Sequence, residues 1–131
     1  MNTGDPGKPS LRMFPGSRQE VRNVRAFVGE AVDGCPAADD VILLASEVVT
    51  NAIIHTASGK DGTFTVVVHP LDGMVRVEVH DGGSETPPGI RSADDQAVSG
   101  RGLGMVESLA TRWGHLGDQN GRVVWFEVDW L

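Results

Sequence analysis

SEVVTNAIIH, residues 46–55, is the stretch whose reading decides what kind of domain this chain forms. Leu44, Ala45, Val48, Val49 and Ala52 recur at three- and four-residue steps, and Val41 extends the series backwards, so one face of a helix is apolar. Glu47, Asn51 and His55 fall at i, i+4 and i+8 and line a second stripe beside it. A carboxylate and an amide next to a core-facing stripe are costly to bury without partners. They form either an exposed polar edge or a pair placed for chemistry, and the residues alone leave both open. On the second reading the Asn51 amide oxygen is a hard ligand suited to Mg²⁺. Glu47, one turn earlier, can then orient and deprotonate a nucleophile.

Outward from this helix toward the N-terminus, Pro36 suits a first helical turn, and Asp39 and Asp40 complement the positive end of the dipole. The helix is expected to close between Thr56 and Gly59. Before it, Val21, Val24, Val28 and Val32 recur at helical spacing, with Phe27 and Ala31 widening the stripe, and Gly34 is the stop signal. Ser17 followed by Glu20 three residues later predicts a capping box. Leu11 to Phe14 is a short extended piece. Residues 1–10 are polar and rich in Gly and Pro, without the apolar stretch of a signal peptide, and are expected to form a flexible tail on a domain spanning 11–131.

Toward the C-terminus the period changes to two. Thr63 to His69 is a β-branched run, Leu71-Asp72-Gly73 predicts a turn, and Val75, Val77 and Val79 alternate with Arg76, Glu78 and His80. A long stretch from Gly82 to Gly102, with glycines and the adjacent Pro87 and Pro88, reads as a functional loop or lid. A third helix is expected from about Leu103 to Arg112. Two strands follow, around Trp113 to Leu116 and Arg122 to Asp129, joined by a turn over Asp118 to Gly121. Helix, helix, hairpin, loop, helix, hairpin predicts an α+β two-layer sandwich, with helices on one face of a mostly antiparallel sheet.

Two further segments carry polar chemistry. Asp81 follows directly on an apolar strand and precedes Gly82-Gly83. It is either an ordinary Asp-Gly turn or an acceptor for an exocyclic amino group such as that of adenine, with Gly83 letting backbone approach the base edge. Gly100-Arg101-Gly102-Leu103-Gly104 leads into a helix, where exposed amides can cradle phosphate. It is not a Walker A loop, since no Lys-Ser or Lys-Thr pair closes it, and its spacing differs from the Rossmann fingerprint.

Bulk composition narrows the classes. With 131 residues, 40% of them hydrophobic, the chain has the size and apolar content of one globular domain. No apolar run approaches the ~18 residues of a membrane span. A formal charge of −7 argues against a nucleic-acid surface. It also means that a polyphosphate ligand must be held by metal, backbone amides and a few placed cations. Cys35 is the only cysteine, so no internal disulfide forms and a reducing, cytoplasmic compartment is expected. His55, His69, His80 and His115 show no metal-ligand spacing. Trp113, Trp125 and Trp130 are expected to pack the sheet.

Taken in order, the polar-edged helix, the strand-end Asp-x-Gly and the glycine-rich helix start resemble the three nucleotide-binding boxes of the Bergerat-fold ATPases. The closest look is to bacterial anti-sigma factor serine kinases and their actinobacterial relatives. The resemblance rests on residues 46–55, 77–88, 100–105 and the closing Val124-Trp125-Phe126-Glu127, and covers nearly all of residues 11–130. It implies ATP and Mg²⁺ as cofactors, Asn51 as the metal ligand and Glu47 as general base. It further implies that Asp81 reads adenine, that Gly83 lets the ring approach, and that Gly100, Arg101, Gly102, Leu103 and Gly104 contact phosphates. A sigma factor and a small antagonist protein are the implied partners, and a homodimer the implied state. Two positions depart from the pattern. Glu85 stands where a second glycine is frequent, and Val123 where a threonine near adenine is frequent, which would remove one polar contact. The function implied is an anti-sigma factor that phosphorylates a serine on its antagonist. A nucleotide-dependent regulatory binding module without phosphotransfer is the alternative. A detached histidine-kinase catalytic domain fits less well, because no histidine precedes His55.

Overall fold

In the computed structural model, the described residues are 8–55, 62–82, 106, 109–118 and 120–130. Strand β1 (Ser10–Pro15) leads into helix α1 (Glu20–Ala31) and then helix α2 (Ala38–His55). A hairpin follows, β2 (Thr63–Leu71) and β3 (Met74–Asp81), and a second hairpin, β4 (Arg112–Asp118) and β5 (Gly121–Asp129), closes the chain. The five strands form one sheet in the order β1-β2-β3-β5-β4, every pairing antiparallel. This is the α+β sandwich that the periodicities predict, with β3 at the centre.

The alternation along each strand assigns the faces. Phe64, Val66 and Val68 of β2, Val75, Val77 and Val79 of β3, and Val124, Phe126 and Val128 of β5 are buried. They meet Val24 and Val28 of α1 and Val41, Leu44, Ala45, Val48, Val49 and Ala52 of α2 in one core. Both helices therefore lie over the same side of the sheet. Phe14 of β1 is locked into this core by Phe64, stacked at 5.5 Å between centroids, and by Phe27 of α1, edge-on at 5.8 Å.

The hairpin turns follow their residues. Leu71 pairs with Met74 across Asp72-Gly73, and Gly73 takes φ +81°, a conformation strained for any side chain. At the second hairpin Gly117 sits at φ +103°, where an added Cβ would run into the Gly121 carbonyl oxygen.

Two local expectations change. The Ser17–Glu20 capping box does not form: α1 has Gln19 at its N-cap, without a side-chain capping bond. The Glu20 and Val21 amides instead donate to the Ser17 and Arg18 carbonyls, at 3.0 and 3.2 Å, so a backbone turn satisfies the donors that a cap would serve. The third helix does not reach Arg112. The Ala110 amide still donates to the Val106 carbonyl at 2.9 Å, but that of Thr111 already pairs with Glu127 of β5 at 2.8 Å, and β4 begins at Arg112. The tryptophans pack the sheet as expected, Trp113 and Trp130 against the core and Trp125 on the opposite face, under the Arg76 guanidinium at 4.4 Å. No helix among the described residues is long and apolar enough to cross a membrane.

Candidate functional site

Helix α2 and strand β3 set the site, because they start at the same end of the molecule. The turn between α1 and α2 (Asp33, Gly34, Cys35, Pro36) and the β2–β3 turn (Leu71, Asp72) line one cavity of about 260 Å³ together with Trp130. From there α2 rises by ~1.5 Å per residue, which puts Asn51 about 20 Å along its axis. Strand β3 rises by ~3.3 Å per residue, which puts Asp81 about 23 Å along the sheet. Helix α2 packs against β3. Asn51 and Asp81 therefore stand at the same end of the two layers, away from that cavity.

The polar stripe of α2 is not an exposed edge. Asn51 is buried at 5% exposure and Glu47, one turn before it, is half-buried. Both lie beside Val48 and Ala52, whose burial turns this side of the helix toward the sheet. The smaller polar residues of the helix are absorbed locally. The Ser46 hydroxyl donates to the Leu43 carbonyl at 2.8 Å, and that of Thr50 to the Ser46 carbonyl at 2.7 Å. His55 closes the helix, its side chain lying outside the described residues.

Asp81 is the last residue of the central strand and is buried on the helix-facing side. Its rung partner on β5 is Arg122, also buried, and the Arg122 Nε stands 3.5 Å from the Asp81 Oδ2. An Asp-Gly turn at the surface does not describe this residue. The expectation built on Val123 is likewise corrected. Val123 pairs with His80 and faces the other side of the sheet, so the β5 residue that shares the Asp81 face is Arg122. Sequence reasoning passed over Arg122. The available signal was strand parity: with Val124, Phe126 and Val128 inward, residue 122 is inward too.

On the other face of the sheet a line of charges crosses three strands. The Arg112 Nε donates to the Glu127 Oε1 at 2.6 Å and its Nη2 to the Asp129 Oδ1 at 2.6 Å. The Arg76 Nη1 donates to the Glu127 Oε2 at 2.8 Å and its Nε to the Glu78 Oε2 at 3.0 Å. The hydrogen bond from Arg112, aided by Arg76, holds the Glu127 carboxyl below the ordinary glutamate range against its partial burial. For Glu78, partial burial pushes upward, but the hydrogen bonds to His80 and Arg76 outweigh it and the net shift is downward.

Gly83 and the run Gly100, Arg101, Gly102, Leu103 and Gly104 lie outside the described residues, as do Glu85 and the expected lid. Among the described residues there is no cluster of three or more His, Cys, Asp and Glu. The groups on the site-facing stripe of α2, the Asn51 amide and the Glu47 carboxylate, offer oxygen ligands. They fit a hard divalent ion carried in by a polyphosphate better than a soft metal held by the protein alone.

Comparison with known proteins relates the fold to a family. A structure of the RsbU and RsbW domains of a Mycobacterium tuberculosis protein superposes with a TM-score of 0.67 over 95% of this chain and 33% of that one, at 21% identity, which shows a shared fold. An anti-sigma F factor of Clostridium acetobutylicum is 34% identical over 93 residues, which are 66% of this chain and 65% of the relative. The family model for the histidine kinase-like ATPase domain matches residues 14–128. That match spans every described helix and strand apart from the first residues of β1 and the last of β5, and the chain belongs to the histidine kinase-like ATPase domain family.

Proposed function

We propose that this protein is an ATP-dependent anti-sigma factor and protein-serine kinase, acting on a serine of a small antagonist protein. The observation that carries it is the buried Asn51 with Glu47 one turn before it, at the same end of the molecule as the buried Asp81. The anti-sigma F factor relative supports the choice of partners.

In this reading Asp81 accepts from the exocyclic amino group of adenine, and Gly83 admits the ring. The amides of Gly100 to Gly104, with Arg101, hold the phosphates, and the Asn51 amide oxygen ligates Mg²⁺. When bound, magnesium-ATP supplies the electrophilic γ-phosphorus and neutralises charge that develops on the leaving group. The Glu47 carboxylate accepts the proton of an incoming serine hydroxyl, while the half-buried helix face holds it in place. The homodimer belongs to this same proposal.

The test separates transfer from binding. A general base contributes roughly 10²–10⁴-fold to rate and little to ground-state affinity. Glu47→Gln should therefore leave ATP affinity nearly unchanged while phosphate transfer to the antagonist captured from the native host falls by that factor. ATP binding to the parent should weaken sharply when magnesium is chelated. Transfer that is absent from both proteins, with the antagonist present and ATP bound, would leave a nucleotide-dependent binding module instead.

A further inference from the structure

The Asp81–Arg122 pair has a feature that the proposed chemistry does not use. The two side chains are 0% and 2% exposed, on the last inward position of β3 and the first of β5, with the guanidinium Nε 3.5 Å from the carboxylate Oδ2. A carboxylate taken this far out of water is costly unless an opposite charge accompanies it, and removing that charge raises the cost of keeping the carboxylate ionised. The usual escape for a buried carboxylate that loses its countercharge is to take up a proton. A carboxylate only accepts hydrogen bonds, whereas a carboxylic acid both accepts and donates.

That difference bears on base recognition. The six-position of adenine carries a donor, an amino group; that of hypoxanthine carries an acceptor, a carbonyl oxygen. A carboxylate at Asp81 accepts from the first and repels the second. A carboxylic acid, or an amide in its place, can serve either. The group that keeps Asp81 an acceptor only thereby sets which purine the site takes.

We infer that Arg122 is a specificity-determining positioning residue, whose buried positive charge keeps Asp81 a pure acceptor and so selects adenine over six-oxo purine nucleotides. This rests on the reading of Asp81 as the group that meets the base. Arg122 acts through Asp81 and need not touch the nucleotide. The strand register alone brings the two together: 41 positions apart in sequence, they share one rung and one face.

The experiment is a titration of ATP and ITP, with magnesium, into the folded parent chain and into Arg122→Gln, Arg122→Lys, Asp81→Asn and the double variant Arg122→Gln/Asp81→Asn. Circular dichroism confirms that each is folded. The parent should prefer ATP. Arg122→Gln should lower the ATP-to-ITP preference by about an order of magnitude, the scale of one charged hydrogen bond. Arg122→Lys, which keeps the charge, should preserve it within a few-fold. Once Asp81→Asn is present, adding Arg122→Gln should change the preference no further. Preference retained in a folded Arg122→Gln, or lost in Arg122→Lys, overturns the inference and leaves the nucleotide site standing. If Arg122→Gln does not fold, Arg122→Lys still decides, since loss of preference there is fatal. A parent that binds ATP and ITP equally, or neither, overturns the adenine reading of Asp81 and this inference with it.

Discussion

The two faces of the sheet hold the same chemical pairing under opposite conditions. On the outer face Arg112, Glu127, Arg76 and Glu78 form a chain of bonds of 2.6 to 3.0 Å, open at both ends to water. On the helix-facing side Arg122 and Asp81 stand 3.5 Å apart with almost no exposure. By distance alone the outer chain is the stronger. Burial reverses the ranking, because water can stand in for any lost partner on the outer face and cannot do so within the core. The outer chain tidies a surface; the inner pair constrains the end of the central strand, where the candidate site lies.

The sharpest way to break this contrast is to remove one charge from each face. Arg122→Met should cost about 3–5 kcal/mol in urea unfolding, since it takes the opposite charge away from a buried carboxylate. Adding Asp81→Leu should recover most of that loss, because a buried ion pair and an apolar pair of similar volume are often comparable. A cost for Arg122→Met below about 1 kcal/mol would show that the pair is hydrated. Glu127→Gln removes the acceptor shared by Arg76 and Arg112, and should cost only about 1 kcal/mol, as both guanidinium groups reach solvent.

The outer chain also predicts a pH response. The carboxyls of Glu127 and Glu78 titrate below the ordinary glutamate range when folded. The unfolded chain therefore binds more protons as pH falls, and stability drops with it. The contribution is complete above the ordinary glutamate range of about 4–5 and disappears as pH falls through the folded values. Glu127→Gln should flatten this acid limb in unfolding curves below about pH 5, and an unchanged slope would contradict the assignment. The smallest effect is expected from Arg112→Ala, whose side chain is 48% exposed. Any loss there should vanish in about 1 M salt, which screens open ion pairs.

How far the site was legible beforehand differs from element to element. The spacing of Val41, Leu44, Val48 and Ala52 placed α2, and the alternation of Val75, Val77 and Val79 placed β3, because helix and strand periods are local properties of a chain. The Ser17–Glu20 pattern does not decide the cap, because a backbone turn competes for the same amides and no sequence pattern ranks the two. The third helix stops short of its sequence pattern, since Thr111 and Arg112 answer to β5 rather than to their helical neighbours.

The residues by themselves determined the two-layer α+β sandwich, the turn glycine at 73, and the positions of Glu47, Asn51 and Asp81 on their elements. Those follow from propensity, period and the left-handed backbone that glycine alone takes easily. Only the tertiary structure decided that α2 and β3 run from a common end, that the polar stripe of α2 turns inward, and that Arg122 rather than Val123 shares the Asp81 face. Each of these depends on strand register and layer packing, where residues distant in sequence become neighbours, and a shift of one residue in register would send Arg122 to the opposite side of the sheet.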